Sequence, residues 1–451
     1  MVDLSVWKKQ ADIIGDILGK APDFDKERRI STEEFLARQK KVIAALEEHG
    51  YDCGFVYSDE HYHGDVPYLG GNTNISVEPV AGIIGKKGFF LLAGLEGGYC
   101  AEQLAYRSGC KVRKVEMLKL ADEDYPVEAC SMEGVLEEAC GRKPENIAFL
   151  SPAEVVPASM YCWFVDYFKD PERVVTDAQE LYYKIKYIKS DEEMRMTEQA
   201  ALICDVMLEG MASVLRPGLY ETQVAQWGYA IAMELGAEQL GFDISVASGQ
   251  NNRTLIGKAT NRKIEEGDYV LLGVGPKCDG LTACERASVV CVDHPSKLTE
   301  SQKYWFSFTE EAFQVGLNAY IDVARNHKPA KLQEQALVDY FTGKSKEVSK
   351  FIGKEIDMSV LKPYTGTHNG GYTECQEFYG AITLASEEPL GSQIVTMLDV
   401  AVRGFGNDWF DVRIPDMDYV LVEKTLGKYQ EEVKVLNHLP IHIQHFVGRG
   451  F

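Results

Sequence analysis

A long amphipathic segment near the middle of the chain is the feature that most constrains its fold. The residues Ser190-Asp-Glu-Glu193 form a capping box, in which serine and glutamate side chains bond reciprocally to unpaired backbone amides, so a helix begins here. The predicted helix ends at Arg216-Pro217-Gly218, and a second helix over 221–235 precedes a run of strands. The segment predicts long helices packed on a sheet, with these residues as core: Met196, Ala200, Ile203, Met207 and Val214.

The first third of the chain alternates helix and strand more closely. A capping box at Ser31-Thr-Glu-Glu34 predicts a helix that stops at Gly50. A strand is predicted at 53–57, and two apolar runs joined by Lys86-Lys87-Gly88 are typical of a hairpin. This part of the sequence therefore predicts an α/β domain with its own sheet.

The length of 451 residues exceeds what a single hydrophobic core ordinarily holds, so two domains are expected. A polar, charged stretch near 169–183 follows an aromatic segment and indicates the boundary. We predict an N-terminal domain over residues 1–180 and a C-terminal domain over residues 181–451.

Charge and apolar patterning exclude several classes of partner. The formal net charge of −22 would repel a phosphate backbone, and the basic residues form no stripe, so no nucleic-acid partner is expected. No window approaches the roughly 20 apolar residues of a membrane span, so no membrane partner is expected. Eleven cysteines without a CxxC pair are typical of reduced thiols, which predicts a cytoplasmic protein.

The order of several motifs resembles one known family. YKIKYIKSDEEMRMTEQAA, RPGLYETQVA and RKIEEGDYVLLGVG follow one another as at the entry to the C-terminal domain of the creatinase, aminopeptidase P and prolidase family. The resemblance extends upstream to EEFLARQKKVIAALEEHGYDCGFVYS and PYLGGN, and downstream to DVRIPDMDYVLVEK. It implies an α/β (α+β) protein, with a small creatinase-like N-terminal domain before a pita-bread domain whose curved sheet is mainly antiparallel. It also implies an active site on the concave face and a homodimer.

Metallopeptidases of this family hold two divalent ions with two Asp, one His and two Glu, and the resemblance assigns a position to each ligand. The two Asp positions carry Gly273 and Cys284, and the histidine is His368. The first Glu falls at Leu398 or, with a slip of one residue, at Asp399, and the second falls at Pro415. These residues are too few for paired metals, so neither a metal nor another cofactor is expected. A further family histidine, which creatinase also uses, would fall near Ile256 or Gly257 and is missing.

Three residues are predicted to be catalytic. His368 stands in a glycine-rich turn and is a candidate general base, with a structural histidine as the equal alternative. Glu374 follows on what should be the next strand, where it and Glu377 would face opposite sides unless the strand bulges. Cys284 is a candidate nucleophile if His368 or Arg286 lowers its pKa, although most pocket cysteines are inert.

The remaining candidates are predicted to bind substrate. Arg413 could clamp a substrate carboxylate, or it could form a structural ion pair with Asp411 or Asp416. Two histidines in the loop Glu60-His-Tyr-His-Gly-Asp65 resemble residues that reach toward a partner's active site, with plain surface exposure as the alternative. The full set of predicted substrate-binding residues is His61, His63, Glu285, Glu377, Asp399, Asp411 and Arg413.

Three functions are compatible with this sequence. The first is a metal-independent hydrolase or lyase of the creatinase type, which cleaves a C–N bond in a small nitrogen-containing substrate. The second is a catalytically inactive relative that binds a ligand or a partner. The third is an Xaa-Pro aminopeptidase or dipeptidase, against which the missing metal ligands argue. Metal analysis and substrate screening distinguish the three.

Overall fold

The computed structural model describes residues 3–71, 73–120, 124–374, 377 and 379–451. The N-terminal part builds one mixed sheet with the strand order β4-β3-β2-β1-β5-β6. Its strands are β1 (Cys53–Ser58), β2 (Val80–Gly85), β3 (Gly88–Ala93), β4 (Lys111–Lys114), β5 (Ile147–Phe149) and β6 (Val174–Val175). Its helices are α1 (Leu4–Leu18), α2 (Thr32–Glu48), α3 (Asp65–Gly70), α4 (Gly97–Ser108), α5 (Met132–Cys140), α6 (Ala158–Phe168) and α7 (Gln179–Tyr187).

The C-terminal part builds a larger antiparallel sheet. Its helices are α8 (Asp191–Val214), α9 (Glu221–Glu234), α10 (Glu300–Arg325) and α11 (Lys331–Ile352). Its strands are β7 (Gln239–Leu240), β8 (Ser245–Ser248), β9 (Tyr269–Val274), β10 (Pro276–Cys278), β11 (Leu281–Thr282), β12 (Glu285–Val290), β13 (Thr367–Asn369), β14 (Gln393–Arg403), β15 (Tyr419–Tyr429) and β16 (Glu432–Val435). The large sheet runs β13-β14-β15-β12-β9-β8, with β16 added to β15, while β7, β10 and β11 form a small separate sheet.

The two predicted capping boxes have different outcomes. At Ser190 both halves of the box are present, and α8 begins there as predicted. At Ser31 only the serine half forms, because the Glu34 carboxylate bonds instead to Arg38 at 2.8 Å. The Ser31 hydroxyl also donates to Glu192 at 2.8 Å, so this helix start is tied to the first turn of α8.

Strict alternation along the large sheet separates a packed face from a polar face. Leu272 on β9, Val400 on β14 and Val422 on β15 belong to the cores formed with the long helices. Helix α8 packs on β9 and β12, and α10 packs on β14 and β15. Neighbouring residues along each strand point the opposite way, so they form a second face. This second face carries polar side chains together with two small apolar clusters, one of which includes Met194 of α8.

Hydrogen bonds from two arginines join the N-terminal part to the C-terminal part. Arg38 of α2 donates to the Tyr372 hydroxyl at 2.8 Å, and Arg107 of α4 bonds to both oxygens of Asp279 at 2.7 and 2.8 Å. Such pairs position the N-terminal part over the polar face of the large sheet.

The domain boundary predicted at residue 180 falls inside α7 and stays a prediction. Helix α1 packs against α8 and α9, so the first helix of the chain lies on the C-terminal part. Within the residues that the structure describes, no helix has the length and apolar character needed to cross a membrane.

The Glu377 carboxylate provides a pH test of the contact between the two parts. Glu377 is buried and lies 3.1 Å from the ammonium of Lys186, which also bonds to Asp65 at 2.7 Å. Burial acts to raise the pKa of Glu377, but the charges of Lys186 and Lys189 outweigh it and lower the pKa to about 2.

We expect Glu377→Gln to lower the free energy of unfolding by about 3–5 kcal/mol at pH 7, because it removes one partner of a buried pair. A depressed carboxylate pKa contributes stability above its ordinary value, so the deficit should shrink as the pH falls from about 5 toward 2. Urea unfolding across this range measures the difference. The exposed Glu180→Gln, which breaks a surface pair with Lys184, is the matched control and should cost under about 1 kcal/mol. Equal costs for the two variants at pH 7 would contradict the assignment.

Candidate active site

One row of directly paired residues crosses the polar face of the large sheet. Ser245 pairs with Gly273, Gly273 with Arg286, Arg286 with Glu423, and Glu423 with Asp399. Directly opposed side chains in a sheet lie about 5 Å apart on the same face. The strand register therefore brings an arginine and two carboxylates together without any loop.

Arg286 is the charged centre of this row. Its Nε donates to Glu423 and its Nη2 donates to Asp399, and both carboxylates are buried. The arginine fits because its cross-strand neighbour is a glycine: a Cβ on Gly273 would lie 2.9 Å from Cγ and 3.0 Å from Cδ of Arg286. The stem of Arg286 thus occupies the space in which a side chain at position 273 would lie.

Two tyrosines complete the shell on the Asp399 side. The Tyr364 hydroxyl donates to Asp399 at 3.0 Å and is itself hydrogen-bonded to the Tyr419 hydroxyl. Burial raises the pKa of Asp399 against the opposing charge of Arg286. For Glu423 burial also acts to raise the pKa, but Arg286 and His368 outweigh it and lower the pKa.

His368 on β13 stands between two carboxylates. Its Nε2 lies 3.4 Å from Oε1 of Glu374 and 3.3 Å from Oε1 of Glu423. Burial alone would lower the pKa of His368, but the charges of these carboxylates raise it to about 9. Nε2 is buried and makes no hydrogen bond within the described residues, so His368 meets Glu374 through a charge contact.

A cavity of about 710 Å³ opens above this face. Arg286 and Glu374 line it from the sheet side, and the loop carrying His61 and His63 lines it from the N-terminal part. Apolar side chains such as Phe242 form much of the remaining wall. The volume suits a small-molecule ligand bound between the two parts of the chain.

Three of the predicted site residues line this cavity, namely Glu374, His61 and His63. His63 also contacts the ammonium of Lys277 on β10, and burial lowers the pKa of that lysine to about 7. His368 and Asp399 do not line the cavity themselves. His368 contacts the lining residue Glu374, and Asp399 is bonded to the lining residue Arg286.

The other predicted residues lie elsewhere, each for a physical reason. Cys284 is buried, and burial raises the pKa of its thiol well above the ordinary value despite the nearby Arg286, so it is no thiolate nucleophile. Glu285 points to the opposite face and pairs with Lys424, while Glu377 pairs with Lys186. None of these three lines the cavity.

The prediction that Arg413 clamps a substrate carboxylate is also corrected by the structure. Its guanidinium is 47% exposed and pairs with Asp411 at 2.6 Å in the loop before β15, away from the cavity lining. The structural ion pair that the sequence left open is the arrangement found.

The structure also corrects the register assigned to the last two ligand positions. Leu398 packs against α10, so Asp399 is the residue of β14 on the polar face. Pro415 lies in the exposed loop before β15, and the carboxylate opposite Asp399 is Glu423. The sequence did contain a signal for Glu423, since it is an acidic residue within the apolar run Tyr419–Tyr429.

The residues present do not fit a pair of divalent ions. Two groups of possible ligands have their donor atoms within 4.8 Å of one another, and they share Glu423: Cys284 with Glu374, and His368 with Asp399. Gly273 offers no side chain, however, and Cys284 is held as a thiol. The carboxylates of Asp399 and Glu423 already bind the guanidinium of Arg286.

The fold and the polar row define a pita-bread domain beneath a small α/β domain, which confirms the predicted fold class. Residues 195–417 match the model of metallopeptidase family M24, and this domain of the chain belongs to that family. An X-Pro aminopeptidase structure from Thermotoga maritima superposes with a TM-score of 0.69 at 18% identity, over 90% of this chain and 98% of that one.

Sequence relatives match only part of their own length. The chain is 33% identical over 128 residues to the uncharacterized peptidase YqhT of Bacillus subtilis, which is 27% of this chain and 36% of that protein. It is 24% identical over 238 residues to an Xaa-Pro dipeptidase of Pyrococcus horikoshii, covering 52% of this chain and 59% of the relative. The match thus spans between about a third and three fifths of these relatives.

We expect Gly273→Ala to lower the free energy of unfolding by about 1–3 kcal/mol, because the new methyl group would overlap the stem of an arginine held at its charged end. Chemical denaturation of purified protein measures the change. The matched control is Gly343→Ala in α11, where a Cβ meets nothing within 4 Å and helix propensity should add about 0.5–1 kcal/mol. A stabilising Gly273→Ala would mean that Arg286 does not occupy this space.

Proposed function

We propose that this chain hydrolyses an amide-type C–N bond in a short peptide or a similar small substrate, without the paired divalent ions of M24 metallopeptidases. The observation that carries the proposal is that a carboxylate, Glu374, and a fixed guanidinium, Arg286, line the same cavity. Amide hydrolysis needs a proton acceptor for water and a positive group near the carbonyl, and these two side chains supply them.

Glu374 is the proposed general base and acid. It takes a proton from the attacking water and returns it to the leaving nitrogen when the C–N bond breaks. His368 is a positioning residue, because its buried Nε2 faces the Glu374 carboxylate at 3.4 Å and not the cavity. This assignment moves the acid and base role that the sequence gave to His368 onto Glu374.

The comparisons favour a peptide-like substrate over creatinase-type chemistry. Matched relatives carry the names of Xaa-Pro dipeptidases, whereas the position of the creatinase histidine falls near Ile256 or Gly257, and Ile256 is an 83% exposed side chain lining the cavity. An apolar wall that includes Phe242 and Leu240 would suit an aliphatic or proline-like side chain of such a substrate.

A metal-dependent Xaa-Pro dipeptidase is the second candidate. It is favoured by the names of the relatives and by the donor atoms of His368, Asp399 and Glu423, which lie within 4.8 Å of one another. This function requires the Arg286 guanidinium to leave both carboxylates. An inactive ligand-binding relative is the third candidate, and a substrate screen tests it.

We also infer that the chain forms a homodimer in the cytoplasm. Large exposed apolar side chains such as Trp7, Tyr106 and Phe410 are compatible with an interface between copies. The described cysteines are all free thiols, which suits a reducing compartment. Light scattering on the purified protein tests the dimer.

We expect hydrolysis of dipeptides, including Xaa-Pro dipeptides, or of small amides to persist after exhaustive dialysis against EDTA. Glu374→Gln keeps the shape of the side chain but removes the proton acceptor, so it should lower kcat by about 10²–10⁴-fold. Arg413→Ala, which changes a loop outside the cavity, is the control and should retain activity. Metal analysis of the same samples accompanies the assay.

Two outcomes would contradict this function. Activity that disappears with EDTA and returns with Mn²⁺ or Co²⁺ would establish the metal-dependent peptidase instead. No turnover of any peptide or amide, with ligand binding retained, would establish the inactive relative.

A further inference from the structure

We propose that the guanidinium of Arg286 is a built-in cation that takes the place of the metal pair, and that its Nη1 binds the carbonyl oxygen of the substrate. The proposal rests on the hydrolase function above and assigns a catalytic residue to it.

The first argument is how the nitrogens of Arg286 are used. Nε is bonded to Glu423 and Nη2 to Asp399, while Nη1 has no partner among the residues that the structure describes. Arg286 is only 8% exposed, yet it lines the cavity. A buried guanidinium with one uncommitted nitrogen beside a cavity is a hydrogen-bond donor available to a ligand.

The second argument is that the guanidinium is held rigidly before any ligand arrives. The carboxylates of Asp399 and Glu423, on neighbouring strands, each form an ion pair with the guanidinium. The Tyr364 hydroxyl in turn donates a hydrogen bond to Asp399. The absence of a side chain on Gly273 gives the arginine stem its path across the sheet. A donor that is preorganised in a buried site needs little rearrangement during the reaction.

The third argument is that the guanidinium lies where a cation would bind. Asp399 and Glu423 each belong to a group of possible metal ligands, and Glu423 is shared by both groups. Both carboxylates are already bonded to Arg286, so a divalent ion would have to displace it. Gly273 and Cys284 stand where the family has two aspartates. The site therefore carries less negative charge for the single guanidinium to balance.

The reaction step balances without a further reactant. A water oxygen attacks the carbonyl carbon, its proton passes to Glu374, and the carbonyl oxygen becomes an oxyanion that accepts a hydrogen bond from Nη1 of Arg286. The C–N bond then breaks, and the leaving nitrogen takes the proton from Glu374. The products are a carboxylic acid and an amine, and nothing is oxidised or reduced.

Metal binding tests the replacement independently of activity. Wild-type protein should bind no Zn²⁺ or Co²⁺ at this site by isothermal titration calorimetry, whereas Arg286→Ala should gain one tightly bound ion per chain through Glu423 and its neighbours. The same ions should raise the melting temperature of Arg286→Ala and leave that of wild type unchanged. This second measurement keeps the test decisive if Arg286→Ala is unstable without metal. Arg413→Ala should behave as wild type.

Activity tests the role of Nη1. Arg286→Ala should lose about 10²–10³-fold in kcat, as expected for loss of an oxyanion donor, and millimolar guanidinium chloride should restore part of it. Arg286→Lys keeps one cation but cannot bond to both carboxylates and the substrate, so it should gain no metal and remain impaired.

Each failure has its own meaning. Two tightly bound ions in wild type, or a folded Arg286→Ala that gains neither metal nor heat stability, would overturn the replacement of the metals by Arg286. Unchanged kcat in Arg286→Ala would overturn its catalytic role alone. Wild-type protein without any hydrolysis would refute the proposed function, while the metal titration would still decide whether Arg286 stands in the cation's place.

Discussion

The double ion pair of Arg286 with Asp399 and Glu423 is the interaction on which the rest of the site depends. Removing a guanidinium and two carboxylates from water costs several kcal/mol per ion, and only close, directional bonds offset that cost. The sheet provides this geometry because the three residues are directly paired across β12, β15 and β14. Gly273 on the next strand leaves room for the arginine stem.

From this centre the site extends outward in two directions. On one side Glu423 and Glu374 hold His368 between them, so the charge of the imidazole and the position of Glu374 are linked. On the other side the small N-terminal part brings His61 and His63 over the cavity. Partly buried pairs such as Arg107 with Asp279 tie that part to the C-terminal part, so the cavity is lined by both parts together.

Much of the fold could be predicted from sequence because its signals are local. The capping box at Ser190, the apolar face of α8 and the runs that became β9 and β15 each lie within a few turns or one strand. The motif order then indicated the curved sheet. Gly273 and Cys284 can be assigned to ligand positions for the same reason, since their spacing from a local motif is fixed.

The charged centre could not be predicted in this way, because its partners are remote in sequence. Arg286 is 113 residues from Asp399 and 137 from Glu423, and only the strand register joins them. Sequence matching placed the last ligand at Pro415, where the loop before β15 resembles the family motif, and so it missed Glu423. Likewise the sequence leaves open whether Arg413 clamps a substrate, and only the structure shows its exposed ion pair with Asp411.

We propose that in this M24 domain a fixed side-chain cation stands where paired metals would otherwise bind. The most direct measurement is a crystal structure of the wild-type protein grown with excess Co²⁺, with anomalous data collected at the cobalt edge. We expect guanidinium density between Asp399 and Glu423 and no anomalous peak there. Two anomalous peaks bridged by those carboxylates, with Arg286 turned away, would contradict it.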